Sequence, residues 1–453
     1  MNGKLSGAAG GSSSGWISGN VSAIVATAAL GFLLAVGVSG SVLSAHAIVR
    51  AVRSNVPPAP KTLTVLYSFQ GSPDGSNPSA GAIVDRAGNV FGTTVGGGSA
   101  NDGSVFELTP SGSSYRETIV HSFTGSDGAA PYAAPQEDMH GNLLVTASGG
   151  GSDQDGTVVE LSPRSSAYQE TALFSFDSTD GDYPAAGFLK VGKTFYTTTV
   201  DGGAYGYGAI VSLTPTASGL RESDVYDFQN APDGAYPQSP LVADSSGAVY
   251  GTTYYGGNGD CSHGNHLYYH CGTVFKFVPS GSGGTETVLM YFSGGDGADP
   301  AAGLILDATG NLYGTTVFGG GLGCGTNGQP PGCGTVFELK PNGSQYKQII
   351  LRSFAGSPDG EYPYATLIAK GNDLYGTTEF GGSGPSACGS LGCGTIFKMS
   401  ASGKHYTVLH SFVGSDGEQP LAGLFVKGRS FYGTTSSGGT NSCSCGEVFE
   451  FAP

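Results

Sequence analysis

The chain has 453 residues, of which 79 are glycine and 24 proline, with 38% hydrophobic, 10% aromatic and only 12% charged residues. So much glycine with so few charges excludes a helical bundle, the aromatic content excludes a solvated tail, and glycines that do not fall at every third position exclude collagen. A formal net charge of −16 disfavours nucleic acid and anionic membrane as partners and leaves neutral or cationic ligands as the better fit.

The first 61 residues hold Lys4, Arg50, Arg53 and Lys61 and no acid. No charge interrupts Val21 to Val49, and the densest apolar part runs from Ala23 to Val38. Ala45-His46-Ala47 follows as a small-x-small cleavage site, so residues 1–47 read as a secretory signal. The span is also long enough to serve, uncleaved, as a membrane anchor, although Arg50 and Arg53 complicate its orientation. Residues 48–61, with Pro57, Pro58 and Pro60, read as an extended linker. The expected location is secreted or cell-surface, with membrane contact only through this segment.

From residue 62 onward one unit recurs. Asp-Gly-x-x-Pro begins at Asp74, Asp127, Asp180, Asp233, Asp296, Asp359 and Asp416. An apolar run ending in Phe69, Phe123, Phe176, Phe228, Phe292, Phe354 or Phe412 precedes each copy. In the fifth repeat, strand a is expected at Leu304–Asp307 and strand b at Leu312–Thr316. Gly319-Gly320 and a loop follow, then strand c at Thr335–Leu339 and strand d at Gln348–Phe354. Four short strands per unit, rich in Val, Ile, Thr, Phe and Tyr and punctuated by Gly, Pro and Asn, describe a propeller blade. The array opens with a d strand, Thr62–Phe69, and ends with a c strand, Gly446–Phe451. The expected fold of residues 62–453 is therefore an all-β, seven-bladed β-propeller with four antiparallel strands per blade. The N-terminal strand would complete the last blade and close the ring. A monomer is expected.

The Tyr-Gly-Thr-Thr, Gly-Gly, Gly-Thr-Val-Phe-Glu-Leu and Ser-Phe elements of this unit resemble the GloVer tandem-repeat family of exported bacterial proteins. The resemblance covers nearly all of 62–453 and implies a secreted or surface-attached repeat protein. It carries over no reaction, ligand or catalytic residue. The second repeat departs from the motif, with Leu144-Val145-Thr146-Ala147 in place of Tyr-Gly-Thr-Thr.

The seven Asp-Gly-x-x-Pro aspartates read as turn residues: Asp accepts backbone amides, Gly takes a positive φ and Pro fixes re-entry into strand a. The b–c loop lengthens in repeats 4 to 7 and holds all eight cysteines: Cys261 and Cys271, Cys324 and Cys333, Cys388 and Cys393, Cys443 and Cys445. Two per loop favours four local disulfides in an exported chain, with Cys443 and Cys445 the weakest case because one residue separates them. The loop face that includes 256–272, 319–334 and 381–394 is the expected ligand face. Its candidate ligand-binding residues are Tyr205, Tyr207, Tyr254, Tyr255, His263, His266, Tyr268, Tyr269, His270, Phe318 and Phe380. Flat amphipathic rings beside Asp and Asn suit stacking on sugars, so a glycan or cell-surface polymer is the expected partner. A carbohydrate-active enzyme on the same face is the alternative, with Glu379 or Asp201 as carboxylates, and a purely structural surface repeat is the next. No nucleotide, metalloprotease or hydrolase motif occurs, and neither a cofactor nor a metal is expected.

Overall fold

The computed structural model describes residues 62–453 except 166, 217–218, 260, 262–270, 325–331 and 385–387. The candidates His263, His266, Tyr268, Tyr269 and His270 lie outside the described residues, as do the expected signal and linker. The described chain forms seven four-stranded antiparallel sheets arranged as a seven-bladed propeller. Among the described residues no helix is long and apolar enough to cross a membrane.

Blades 1 to 6 span 83–122, 136–175, 189–227, 242–291, 305–353 and 368–411. In blade 5 strand a is Ile305–Leu306, b is Leu312–Thr316, c is Thr335–Asn342 and d is Gln345–Ser353. Strand a is thus shorter than the sequence suggested, while c and d extend to a tight hairpin. Blade 7 is built from Phe425–Lys427, Ser430–Thr435 and Glu447–Ala452, and its fourth strand is Thr62–Ser68. Thr62 pairs with Ala452 and Ser68 with Glu447, so the first strand of the array closes the ring as expected.

The phenylalanine that ends each d run lies just beyond the strand and is wholly buried in all seven copies. Its amide donates to the carbonyl of the glycine that opens strand c, as in Phe354 to Gly334 at 3.0 Å. Where the next blade carries a strand-c phenylalanine, the two rings meet edge-to-face: Phe292 on Phe337 at 5.2 Å, Phe354 on Phe397 and Phe412 on Phe449 at 5.4 Å. Burying each such ring contributes roughly 1.5–3 kcal/mol.

The second repeat's departure from the motif has a packing reason. The glycine of Tyr-Gly-Thr-Thr sits opposite the strand-c phenylalanine: Gly92 with Phe106, Gly251 with Phe275, Gly314 with Phe337, Gly376 with Phe397 and Gly433 with Phe449. A Cβ at Gly314 would lie 2.6 Å from Phe337 Cζ, so the ring needs the glycine. Blades 2 and 3 place Val145 against Val159 and Thr197 against Val211. Volume moves from one strand to the other and the sum is kept.

A second device ties blade to blade. The first threonine of the motif donates its hydroxyl to the residue two beyond the next blade's Pro: Thr93 to Ala133 O (3.0 Å), Thr252 to Ala302 O (3.0 Å) and Thr434 to Ala80 O (2.8 Å). In blade 3 the extra hydroxyl of Thr197 takes Ala186 O, and Thr146 Oγ1 of blade 2 is left buried without a partner.

Candidate functional site at the mouth of the central channel

The Asp-Gly-x-x-Pro aspartates act as turn residues. Asp416 accepts the amide of Val413 (2.8 Å) and the His410 ring (2.9 Å); Asp233 accepts the Gln229 amide (3.1 Å) and the Tyr226 hydroxyl (2.6 Å). The glycine has positive φ in five copies but not at Gly75 or Gly360, where its fixed requirement is steric: a Cβ at Gly360 would lie 2.4 Å from the Thr378 methyl.

The left-handed residue common to all seven copies is the one before Pro. Asn77, Ala130, Tyr183, Tyr236, Asp299, Tyr362 and Gln419 have φ between 50° and 59°. None is β-branched, in keeping with the steric cost of that region. Each amide donates to the carbonyl preceding the strand-c glycine of the previous blade, and each carbonyl accepts the amide that follows strand b of its own blade. For Asp299 these bonds are to Cys271 O (3.0 Å) and from Val317 N (3.1 Å). Two backbone bonds, one of them to the previous blade, hold the residue in place at the rim.

All four cysteine pairs form within their loops, Cys443–Cys445 included. The second cysteine of each pair supplies the carbonyl just described: Cys271 to Asp299, Cys333 to Tyr362, Cys393 to Gln419 and Cys445 to Asn77. Cys388 and Cys393 lie near Glu418, and their sulfurs are joined, which removes the thiolates a metal would use.

The residue after each Pro lines a central channel of about 510 Å³, whose wall is rich in Ala and Gly. Two of these residues are aromatic, Tyr132 and Tyr364. The rim rings form three contacting groups. Tyr132 meets Tyr183 at 5.8 Å, and both are over a third exposed. Tyr207, Tyr236, Tyr255 and Tyr254 run in sequence at 6.1, 6.0 and 4.5 Å, edge to face. Phe318, Tyr362 and Phe380 follow at 4.8 and 6.0 Å. Tyr254, Tyr255, Tyr207, Phe318 and Phe380 are half-buried, whereas Tyr205 is 56% exposed.

Acids stand among these rings. Asp299 is 2% exposed and its Oδ2 has no hydrogen-bond partner among the described residues. Burial pushes its carboxyl up to about 8. Burial, then the neighbouring Glu361 charge, raises Glu379 to about 7. Burial raises the Tyr254 phenol, with Tyr364, Asp299 and Tyr255 adding to the effect, so these groups sit within electrostatic reach of one another. Tyr364 is raised by burial and then by Glu379. Asp201, the other carboxylate candidate, is held by a two-way backbone pairing with Asp182 and is raised by burial. A value near 8 leaves Asp299 uncharged in neutral water, buried beside the aromatic rings. Asp299, Tyr132 and Tyr364 were missed from sequence; the signal was the variation, from repeat to repeat, of the two positions flanking each Pro.

No curated protein matches the chain in sequence. Among solved structures, a protein from Bacteroides uniformis described as a candidate 6-phosphogluconolactonase is 13% identical, over 79% of this chain and 93% of its own, with a TM-score of 0.49. A protein from Lactobacillus plantarum is 12% identical, over 77% and 88%, with a TM-score of 0.48. An ulvan lyase bound to -[GlcA(1-4)Rha3S]- is 11% identical, over 86% and 95%, with a TM-score of 0.46. Residues 51–192, 82–327 and 322–453 match the model of the Gloeobacter/Verrucomicrobia repeat, and the chain belongs to that repeat family.

Proposed function

We propose that the propeller is an extracellular binding module that grips a neutral glycan or similar polyhydroxylated surface polymer around the channel mouth. The observation that carries this reading is the run of contacting aromatic rings contributed by neighbouring blades, set beside carboxyls that burial keeps protonated. Ring faces stack on the C–H face of a sugar, and protonated acids and phenols donate to its oxygens. Four disulfides suit an oxidising exterior.

The test is a glycan array followed by calorimetry on the best hit. Tyr255→Ala and Tyr362→Ala should each weaken binding at least tenfold; unchanged affinity in both sinks the proposal. Affinity should also fall as pH rises through about 7 to 8, where Glu379 and Asp299 give up their protons.

The raised carboxyl of Glu379 favours a second reading, a carbohydrate-active enzyme in which it serves as general acid. Sugar release that Glu379→Gln abolishes while binding persists would select this reading.

A further inference from the structure

We propose that the apolar cavity between blades 2 and 3 is a binding site for a hydroxyaryl group, which takes the place of a tyrosine ring that blade 2 lacks. The first residue of the strand-b motif carries an aromatic ring in six blades: Phe91, Tyr196, Tyr250, Tyr313, Tyr375 and Tyr432. In register with them blade 2 has Leu144, paired with Glu160 as Tyr313 is paired with Glu338. Where the a–b turn carries an aspartate the phenol reaches it, and Tyr313 reaches an acid on strand c as well. Tyr250 donates to Asp244 at 2.9 Å; Tyr313 donates to Glu338 at 3.0 Å and lies 3.4 Å from Asp307.

Blade 2 keeps both acceptors. Asp138 holds its turn in the manner of Asp307, accepting the amides of His140 and Asn142 and the Asn142 side chain. Glu160 accepts only the Ser162 hydroxyl on Oε1. Both carboxylates, with their spare lone pairs, face a cavity of about 660 Å³. Its apolar wall is Leu144, Leu173, Phe188, Phe195, Leu213 and Leu220. The arrangement is a tyrosine site without the tyrosine: a largely apolar cavity, with Lys190 also in its lining and acceptors where the hydroxyl would arrive. Cavities lined by Leu and Phe readily take small aromatic molecules. The volume exceeds one ring, so a bound hydroxyaryl compound can carry a substituent directed toward solvent. The site is formed by the a–b turn side of the blades and is independent of the channel mouth.

The probe is p-cresol, which is the tyrosine side chain as a free molecule, with toluene as its counterpart lacking the hydroxyl. Saturation-transfer NMR and calorimetry on the native protein should detect p-cresol binding, with toluene several-fold weaker. Leu144→Tyr supplies the missing ring and should reduce p-cresol binding at least tenfold. Leu144→Phe, which copies Phe91 of blade 1, should do the same and guards against misfolding of the first variant; circular dichroism verifies both folds. Absence of p-cresol binding to the native protein overturns the proposal, as does undiminished binding in folded Leu144→Phe. Equal affinity for toluene overturns the role given to Asp138 and Glu160.

Discussion

At the residue scale, the glycine of Tyr-Gly-Thr-Thr and the phenylalanine opposite it behave as one unit. Gly314→Val should destabilise by about 1–3 kcal/mol, because the new side chain enters space that Phe337 and Leu304 already fill. Adding Phe337→Val recreates the arrangement of Val145 and Val159, so the double variant should cost less than the sum of its parts. Denaturant titration of the four members of the cycle measures this, and strict additivity would refute the pairing. The motif itself was legible in sequence. Its exchange partner was not, because the two residues lie twenty-odd positions apart and meet only across the b–c ladder. The Asp-Gly-x-x-Pro turn was legible because its hydrogen bonds are local. The left-handed residue before Pro was not, because both bonds that hold it come from nonlocal backbone.

At the element scale, the disulfides reach further than the loops they close. Each fixes the carbonyl to which the next blade's rim residue is anchored. Mass spectrometry without reduction should find the four intra-loop pairs, and any pairing between repeats would contradict this account. On reduction, the amides of Asp299, Tyr362, Gln419 and Asn77 should exchange faster. Those of Ala130, Tyr183 and Tyr236, anchored to Asp102, Asp155 and Tyr207 without a disulfide, should not. Hydrogen exchange by mass spectrometry separates the two sets; equal acceleration in both would mean that the bridges act on the ring as a whole. Three of the loops' cysteine pairings could be read from spacing, whereas Cys443–Cys445 could not, because a single residue separates them. Which side chains they hold at the rim could not, since that depends on the register between blades.

At the scale of the whole molecule, several buried or half-buried carboxyls are raised by desolvation: Glu117, Glu379 and Glu447 to about 7, Glu286 and Asp299 to about 8. In each case the folded value lies above the unfolded one, near 4 to 4.5. Below that range both states are protonated and the groups contribute no pH dependence. As pH rises from there to about 8, only the unfolded chain releases the protons readily, so folding stability declines across this window and levels off above it. The melting temperature should therefore be higher near pH 5.5 than near pH 8.5. A melting temperature that rises over that interval would show that these acids are not protonated in the folded ring. Fold and closure were legible at this scale because the repeat supplies each signal seven times. Asp299 occurs at its position once, and repetition cannot announce a single-copy feature.

The clasp that joins Thr62 to Ala452 has a consequence for biosynthesis. Contacts spanning nearly the entire array are the slowest kind to form, and this one requires the last strand of the array. Every nascent or prematurely ended chain is consequently an open arc with two raw strand edges, the form most prone to stick to its neighbours. Maturation is thereby made all-or-none: a chain that has lost its final strand is a substrate for proteolysis or aggregation, not a smaller working propeller.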